Sequence, residues 1–522
     1  MIPLSKVSWG PIDALADKHF SEKWIEPDDI KKCLAPNRWI ISGEKGSGKS
    51  AIRRAIIDLH RDDYFVAAVV DFNKINFRPI YENLVKLAQT TSLSKMAMLS
   101  HAWQYSIIVE LAKGCAEKDQ GFFEKIRKSI PAARFAPKLH GRLLALLEEA
   151  WNKVDEFTGF SPGYSKNRKH AKANLLGTAG LTAALLGELS TFPLDSKYEF
   201  FKNELFNLIR ERADNVVLVL DGFDQLHHDT DVSREAIRLI FASLVDAILQ
   251  FQTDLNMPEM LAIKALIPHD RYIELELRDS DKIDSLHWPI RWTRSSLKEF
   301  VKKRIENSTN IHASNFTSLW QQVFPEYVYN TRYKLEEDSF DYVLRHTMFR
   351  PRHMQAHLSN LATTHDGKNI DPTMVPGAIS SSARSIATNF INEYKIDHPK
   401  LREFINLFSE KENIMEYQKF REFVQLALKK FQPGSTVTVE ERIDALYAMG
   451  FFGLVKFVDS GAQLGDRYYP PTRESNRHYV DFFYKQPHSA ISGRLKDDSL
   501  VALHPIFIDL VDLKPHPKLI VG

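Results

Sequence analysis

The stretch from Gly43 to Ser50 (GEKGSGKS) constrains this chain more than any other. It matches the phosphate-loop pattern G-x-x-x-x-G-K-[ST] at every fixed position. With glycine near ~7% of residues, chance supplies such a match in only about 2 of 100 chains of this length. The flanks agree with it. Arg38 to Ser42 (RWIIS) reads as a short buried strand, and Ala51 to Leu59 (AIRRAIIDL) reads as a helix. Strand, glycine loop and helix N-terminus make an anion site, because free backbone N–H groups and the helix dipole converge there. Gly43, Glu44, Lys45, Gly46, Ser47, Gly48, Lys49, Ser50 and Ala51 are the expected nucleotide cradle. In it Lys49 reaches the β- and γ-phosphates of ATP, and the Ser50 hydroxyl ligates Mg²⁺.

The 522 residues leave room for roughly three domains. Lys+Arg 69 against Asp+Glu 67 gives a net charge of +2, which does not announce a nucleic-acid binder and leaves room only for a local basic patch. Two cysteines, Cys33 and Cys115, make neither a disulfide framework nor a metal spacing, so a reducing cytoplasm is the expected compartment. None of the 19 histidines falls in a zinc-like spacing, and no metal beyond Mg²⁺ is expected. The N-terminus lacks the long apolar core of a signal peptide. Ala173 to Phe192 is apolar, but it is rich in Gly, Ala and Thr and is interrupted by Glu188. It reads as a buried or partner-facing helix rather than a membrane span.

Residues 1–36 form a polar, proline-marked lead-in, and 37–292 a P-loop ATPase core. Tyr64 to Asp71, Val216 to Asp221, Met260 to Ile267 and Ser285 to Trp292 read as its further strands. Near-continuous apolar runs of this kind belong to parallel strands covered on both faces. From about 76 to 214 apolar residues recur at helical spacing, as in Trp103, Ile107, Ile108 and Leu111, which predicts a long helical insertion. A long amphipathic helix is expected over Ser233 to Leu255. Residues 293–394 read as a helical lid, with helices at Ser295 to Ile305, Phe316 to Val328, Glu337 to Phe349 and Arg352 to Leu361, then a Ser-rich helical connector over Ala378 to Ser385. In 395–522, helices at Lys400 to Phe408, Tyr417 to Lys430 and Glu440 to Met449 precede aromatic strands at Gly450 to Val455, Arg467 to Tyr469 and His478 to Tyr484. That order predicts a winged-helix-like domain. The expected fold class is α/β: a P-loop NTPase parallel sheet with a helical insertion, a helical lid and this last domain.

Hydrolysis needs an acid beside the phosphate loop. Asp221 ends the run VVLVLD, expected beside the P-loop strand, where a carboxylate reaches Mg²⁺. Asp224 is the candidate to orient or deprotonate the attacking water. After the next strand, Pro268 to Arg271 offers His269 and Arg271 to sense phosphate or stabilise charge, against a plain polar loop. Arg350 and Arg352 in FRPRH either contact nucleotide from the lid or simply open a helix with Pro351 near its first position. The basic cluster Lys166 to Lys172 is a solvated loop or a phosphate contact, and His504 a strand-end packing residue.

The blocks GEKGSGKS, VLVLDGFDQL, AIKALIPHDRYIEL, HWPIRWTRSSLKEFVKKRI and LRHTMFRPRHMQAHL occur in a familiar order. Across about residues 36–365 the chain resembles bacterial P-loop ATPases related to the STAND and AAA+ classes, near the NACHT and KAP groups. It looks especially like stand-alone ATPases found beside phage-defence genes. The resemblance implies an ATP-hydrolysing switch in which ADP marks the resting state. It also implies a homo-oligomer, an effector partner from the same operon and a role in antiviral defence. There are departures. NACHT-type proteins usually carry an acid where this chain has Gln225, which raises the alternative of a slow-turnover ATP-binding scaffold. The insertion is long for the class and no repeat sensor is visible. The winged-helix region raises a third reading, a DNA-engaging ATPase.

Overall fold

The computed structural model describes residues 2–64, 66–71, 94–118, 196–212, 215–223, 234–275, 280–395, 397–434, 436–457, 478–482 and 491–515. The chain divides into two compact units. One is built from Ile30–Gly43 and Lys49–Ile290, the other from Met1–Asp29, Glu44–Gly48 and Arg291–Gly522.

The first unit carries a five-stranded parallel sheet of β1 (Ile40–Gly43), β2 (Val66–Asp71), β3 (Val216–Asp221), β4 (Leu261–Pro268) and β5 (His287–Pro289), in the order β2-β3-β4-β1-β5. This is the P-loop NTPase sheet the sequence predicts. Every residue of β3 and β4 is buried, as parallel strands with both faces covered require. The strand order corrects one expectation. Asp221 does not end the strand beside β1, because β4 stands between β1 and β3. A parallel crossover of a dozen residues or more can skip a place that a later strand fills, and both places ask for the same apolar run.

Helix Lys95–Lys118 lies within the stretch read as an insertion, yet it forms part of the sheet's own core. Trp103, Ile107, Ile108 and Leu111 are buried in one cluster with Leu218, Leu220, Phe241 and Leu244. Trp103 Nε1 donates to Ile240 O and Ser243 Oγ, both at 3.2 Å, on helix Arg234–Thr253. Among the described residues, Arg234–Thr253 is the one helix long and apolar enough to cross a membrane, and 61% of that window is buried in this core. The segments Ala173 to Phe192 and Lys166 to Lys172 lie outside the described residues.

Lys264 breaks the apolar run of β4 for a structural reason. It is fully buried, and its ammonium donates to the carbonyls of Cys33 (3.0 Å), Ala35 (2.8 Å) and Arg38 (3.0 Å). Cys33 lies in the last turn of helix Asp28–Leu34, and Ala35 and Arg38 follow it and lead into β1, so one side chain caps a helix and fixes the entry to the P-loop strand.

In the second unit, helices Arg294–Thr309, Phe316–Val323, Pro351–Thr364 and Met374–Glu393 share a core of Leu297, Trp320, Phe340, Leu358 and Val375, joined by Leu4, Val7 and Trp9. Two expected helices are interrupted by a hairpin, β6 (Tyr327–Asn330) and β7 (Leu335–Asp338). The first helix stops at Val323, ahead of Pro325, and β6 alternates exposed and buried residues. Asn330 closes the turn by accepting from the N–H groups of Arg332 (3.1 Å) and Tyr333 (3.3 Å). The second helix is only Ser339–Leu344. The Ser-rich connector is the middle of a continuous helix, Met374–Glu393, in which the Ser382 hydroxyl is satisfied by donating to the carbonyl of Ala378 at 3.0 Å.

The C-terminal region is winged-helix-like. Helices Leu401–Asn406, Tyr417–Phe431 and Val439–Ala448 accompany an antiparallel sheet of β8 (Ile414–Glu416), β9 (Phe452–Phe457), β10 (His478–Phe482) and β11 (Leu500–Leu503), in the order β10-β9-β11-β8. Arg467 to Tyr469 lies outside the described residues.

Candidate nucleotide site

In the sheet unit, β1 delivers the chain to Gly43, and its carbonyl accepts from Lys49 Nζ at 2.8 Å. Lys49 is buried at 6% exposure and opens helix Lys49–Arg54, which continues as a π-turn over Ala55–Leu59. Ser50 is the second residue of that helix and is half-buried. Asp221 is buried at the end of β3, and Arg53 Nη1 lies 3.4 Å from its Oδ2. Beside β1, β4 ends with Pro268 in register with Gly43, so His269 follows just past the end of β1. Ser42 Oγ sits between His269 Nδ1 (2.9 Å) and His287 Nε2 (2.8 Å), and Tyr272 stacks on His287 with ring centres 3.8 Å apart. Arg271 is buried and faces carboxylates, Glu274 at 3.3 Å and Asp270 at 3.6 Å. Asp224 and Gln225 lie outside the described residues.

In the lid unit, Glu44–Gly48 forms the tip of the loop. Gly46 (φ 83°) and Gly48 (φ 108°) adopt left-handed conformations that L side chains resist. A Cβ on Gly46 would stand 2.9 Å from Arg352 Cβ, so close approach demands glycine there as well. The loop is pinned at its centre, where Ser47 O accepts from Trp292 Nε1 at 2.7 Å and Ser47 N–H donates to Glu44 O at 3.1 Å.

The two arginines of FRPRH behave differently. Arg350 is 5% exposed. Its Nη2 donates to Glu44 Oε2 at 2.9 Å, its Nη1 to Lys45 O at 3.2 Å, and Glu393 lies at 3.7 Å. Burial works against its charge, but Glu44, Glu393 and Tyr394 hold its pKa above the ordinary arginine value. A solvent-facing helix start therefore does not describe Arg350. Arg352 lies over Gly46, is half-buried, and its guanidinium makes no hydrogen bond or ion pair among the described residues.

The chain reaches Arg350 through strained backbone. Met348 (φ 50°) and Phe349 (φ 53°) are consecutive left-handed residues, each costing on the order of 1–3 kcal/mol. Both side chains are buried, and Thr347 Oγ1 accepts from Phe349 N–H at 3.1 Å, so packing over-determines the turn. Pro351 then starts the next helix with Arg350 as its N-cap. Nothing in the pattern RHTMFRPR reports these angles. Nor does the pattern report that Trp292 holds the Ser47 carbonyl or that Glu393 faces Arg350.

The loop fits a polyphosphate. The N–H groups of Gly46 and Gly48 donate to nothing among the described residues. Ser47 Oγ is buried and has no hydrogen-bond partner among the described residues. An orphaned buried hydroxyl costs about 1–3 kcal/mol, which an incoming acceptor oxygen removes. Lys49 and Ser50 are the residues that would meet phosphate and Mg²⁺, with Asp221 as the carboxylate for the metal.

A family model described as the FunZ-associated C-terminal helical domain matches residues 295–386, which cover most of the lid helices and the β6–β7 hairpin. No curated protein matches the sequence. Among solved structures the chain is similar to Cdc6p from Pyrobaculum aerophilum, with 11% identity over 92% of this chain and 87% of that one, at a TM-score of 0.26. It is also similar to the ORC2 protein of Aeropyrum pernix in ADPNP–ADP complexes, with 9% identity over 88% of each chain, at a TM-score of 0.26. Likeness at this level leaves the fold resting on the sheet order and the loop themselves.

Proposed function

We propose that the protein is an ATP-binding and ATP-hydrolysing switch of the AAA+ and STAND type. ATP with Mg²⁺ binds at the phosphate loop through Lys49, Ser50 and Asp221. Asp224 acts on the attacking water, Arg352 contacts phosphate, and Arg350 reports loop occupancy to the lid. The observation that carries this reading is the hold of Arg350 on Glu44 and on the Lys45 carbonyl, inside the unit that also contains the lid helices. A loop already bonded to the lid passes a change of occupant directly to it. The output is a change of self-assembly or of contact with an effector protein, and antiviral defence is the setting the family resemblance supports.

Size measurement with ADP and then with a non-hydrolysable ATP analogue, on the wild type and on Lys49→Ala, tests the switch. The wild type is expected to change size or shape with the analogue, and the variant is not. An identical hydrodynamic profile in every state sinks the proposal. The winged-helix order is what favours DNA as a second partner, but the charge of its third helix weighs against that. Val439–Ala448 carries Glu440, Glu441 and Asp444 against Arg442 alone. Asp444 is moreover occupied by the N–H groups of Ile491 and Ser492, each at 2.8 Å. ATPase stimulation by duplex DNA that fades as salt rises would revive that reading.

A further inference from the structure

The lid unit contains a cavity of about 230 Å³, away from the phosphate loop, between the turn of the β6–β7 hairpin, the residues after helix Ser339–Leu344, the first turns of helix Met374–Glu393 and the chain at Ile508 and Asp509. It is smaller than the pockets that hold drug-sized ligands and suits a small metabolite. Its wall is polar and ordered. Arg345 is paired with Glu337 and stands 4.6 Å over the Tyr342 ring. Arg332 is fixed by Asp509 at 3.0 Å and by the carbonyl of Leu513, and Asp512 lies 3.6 Å from the same guanidinium. Those bonds use only part of the five N–H donors of Arg332, so it keeps donors for an anion.

His346 completes the site. It is 5% exposed, and its Nδ1 donates to the Tyr342 carbonyl at 2.8 Å. With Nδ1 carrying the proton, Nε2 of the neutral ring is an acceptor, and it has no partner among the described residues. The wall therefore asks for an anionic oxygen on one side and an O–H or N–H donor on the other. Gly377 leaves the space open, since a Cβ there would meet nothing within 4 Å.

The same residues lead to the phosphate loop. Arg345 and His346 are followed by Thr347 and the strained pair Met348–Phe349, and then by Arg350, which holds Glu44. His353 Nδ1 bonds the carbonyl of Thr347 at 2.7 Å and His357 Nε2 that of His346 at 2.9 Å, so two histidines brace this turn.

We propose that this cavity is an effector site for a small hydroxylated anion, held by Arg332 and His346, and that its occupancy sets the position of Arg350. The second clause rests on the switch reading; the first does not. The test uses the full chain carrying Lys49→Ala, which disables the phosphate loop. Its melting temperature is measured with inorganic phosphate, glycerol 3-phosphate, AMP and malate, so that phosphate esters and hydroxycarboxylates are separated. At least one hydroxylated anion is expected to raise the melting temperature saturably by several degrees. Gly377→Leu, which grows into the cavity, abolishes the shift; Gly377→Ala retains it; Arg332→Ala raises the half-saturating concentration at least tenfold. No shift with any probe, or a shift that survives both Gly377→Leu and Arg332→Ala, overturns the site. On the wild-type loop, the saturating anion changes ADP affinity at least twofold. Unchanged ADP affinity overturns the coupling alone, whereas absence of any nucleotide binding overturns the switch and leaves the site standing.

Discussion

The Arg350–Glu44 pair ties the lid to the loop carboxylate. At 2.9 Å and an effective dielectric near 20, the gross attraction is about 6 kcal/mol. Desolvation takes back most of that, since Arg350 is 5% exposed and cannot keep its water. A charge-assisted hydrogen bond nets about 1.5–3 kcal/mol, so the coupling between the two residues is expected near 2 kcal/mol. Arg350→Gln costs more, on the order of 3–5 kcal/mol, because Glu44 and Glu393 are then left beside a neutral group. Glu44→Gln costs less, because Arg350 keeps Glu393 and the Lys45 carbonyl. The Ser47 amide is the reporter, since it donates to Glu44 O inside the same turn. Native-state hydrogen exchange of that amide should accelerate strongly in Arg350→Gln. A double-mutant cycle should return a coupling of roughly 30-fold in the opening equilibrium. The pair is buried, so raising salt should change the coupling little. Exchange at Ser47 within about twofold of wild type in Arg350→Gln would show that the lid does not hold the loop.

Three further outcomes are expected. Gly46→Ala should weaken ATP binding by tenfold or more in calorimetric titration and lower the melting temperature; a left-handed alanine costs about 1–2 kcal/mol and the 2.9 Å approach to Arg352 about 1–3 more. Burial lowers the Lys264 pKa from 10.5 to about 8, with Cys33 opposing. The unfolded chain thus binds the extra proton between those values, and stability should rise with pH from about 8 to 10.5 by about 3 kcal/mol, a slope that Lys264→Met removes in denaturant titrations. In the lid unit, burial pushes His357 to about 4 and His504 to about 3, and lowers His346 and His353 as well. The unfolded histidines protonate first, so stability is full above about 6.5 and lost as pH falls towards 4, which near-ultraviolet circular dichroism should report and His357→Asn should blunt.

What could be read from the amino acids, and what could not, follows from the range of each interaction. The phosphate loop was legible because its requirements are local. Gly46 and Gly48 must reach positive φ, Lys49 must follow, and all lie within a few residues. β3 and β4 were legible as apolar runs, because both faces of each strand are covered. Their order was not, since Val216–Asp221 and Leu261–Pro268 satisfy either place in the sheet equally well. The register from Ile40↔Ala265 to Gly43↔Pro268 sets β4 beside β1. Arg350 stayed ambiguous for the same reason: its partners Glu44 and Glu393 are distant in sequence in both directions, and a helix start with proline at its first position looks identical whether buried or solvated. The hairpin at Tyr327–Asp338 was hidden because its strands are four residues each, too short for alternation to outweigh the helical spacing around them. The effector cavity lies further still from any motif. His346, Arg332 and Gly377 come from three separate elements, and each has an ordinary local explanation: a core histidine, a turn arginine, a glycine near a helix start. Chemistry that a loop supplies from consecutive residues announces itself in the pattern; chemistry assembled from distant ones becomes visible only when the backbone between Arg345 and Arg350 is seen to join two sites.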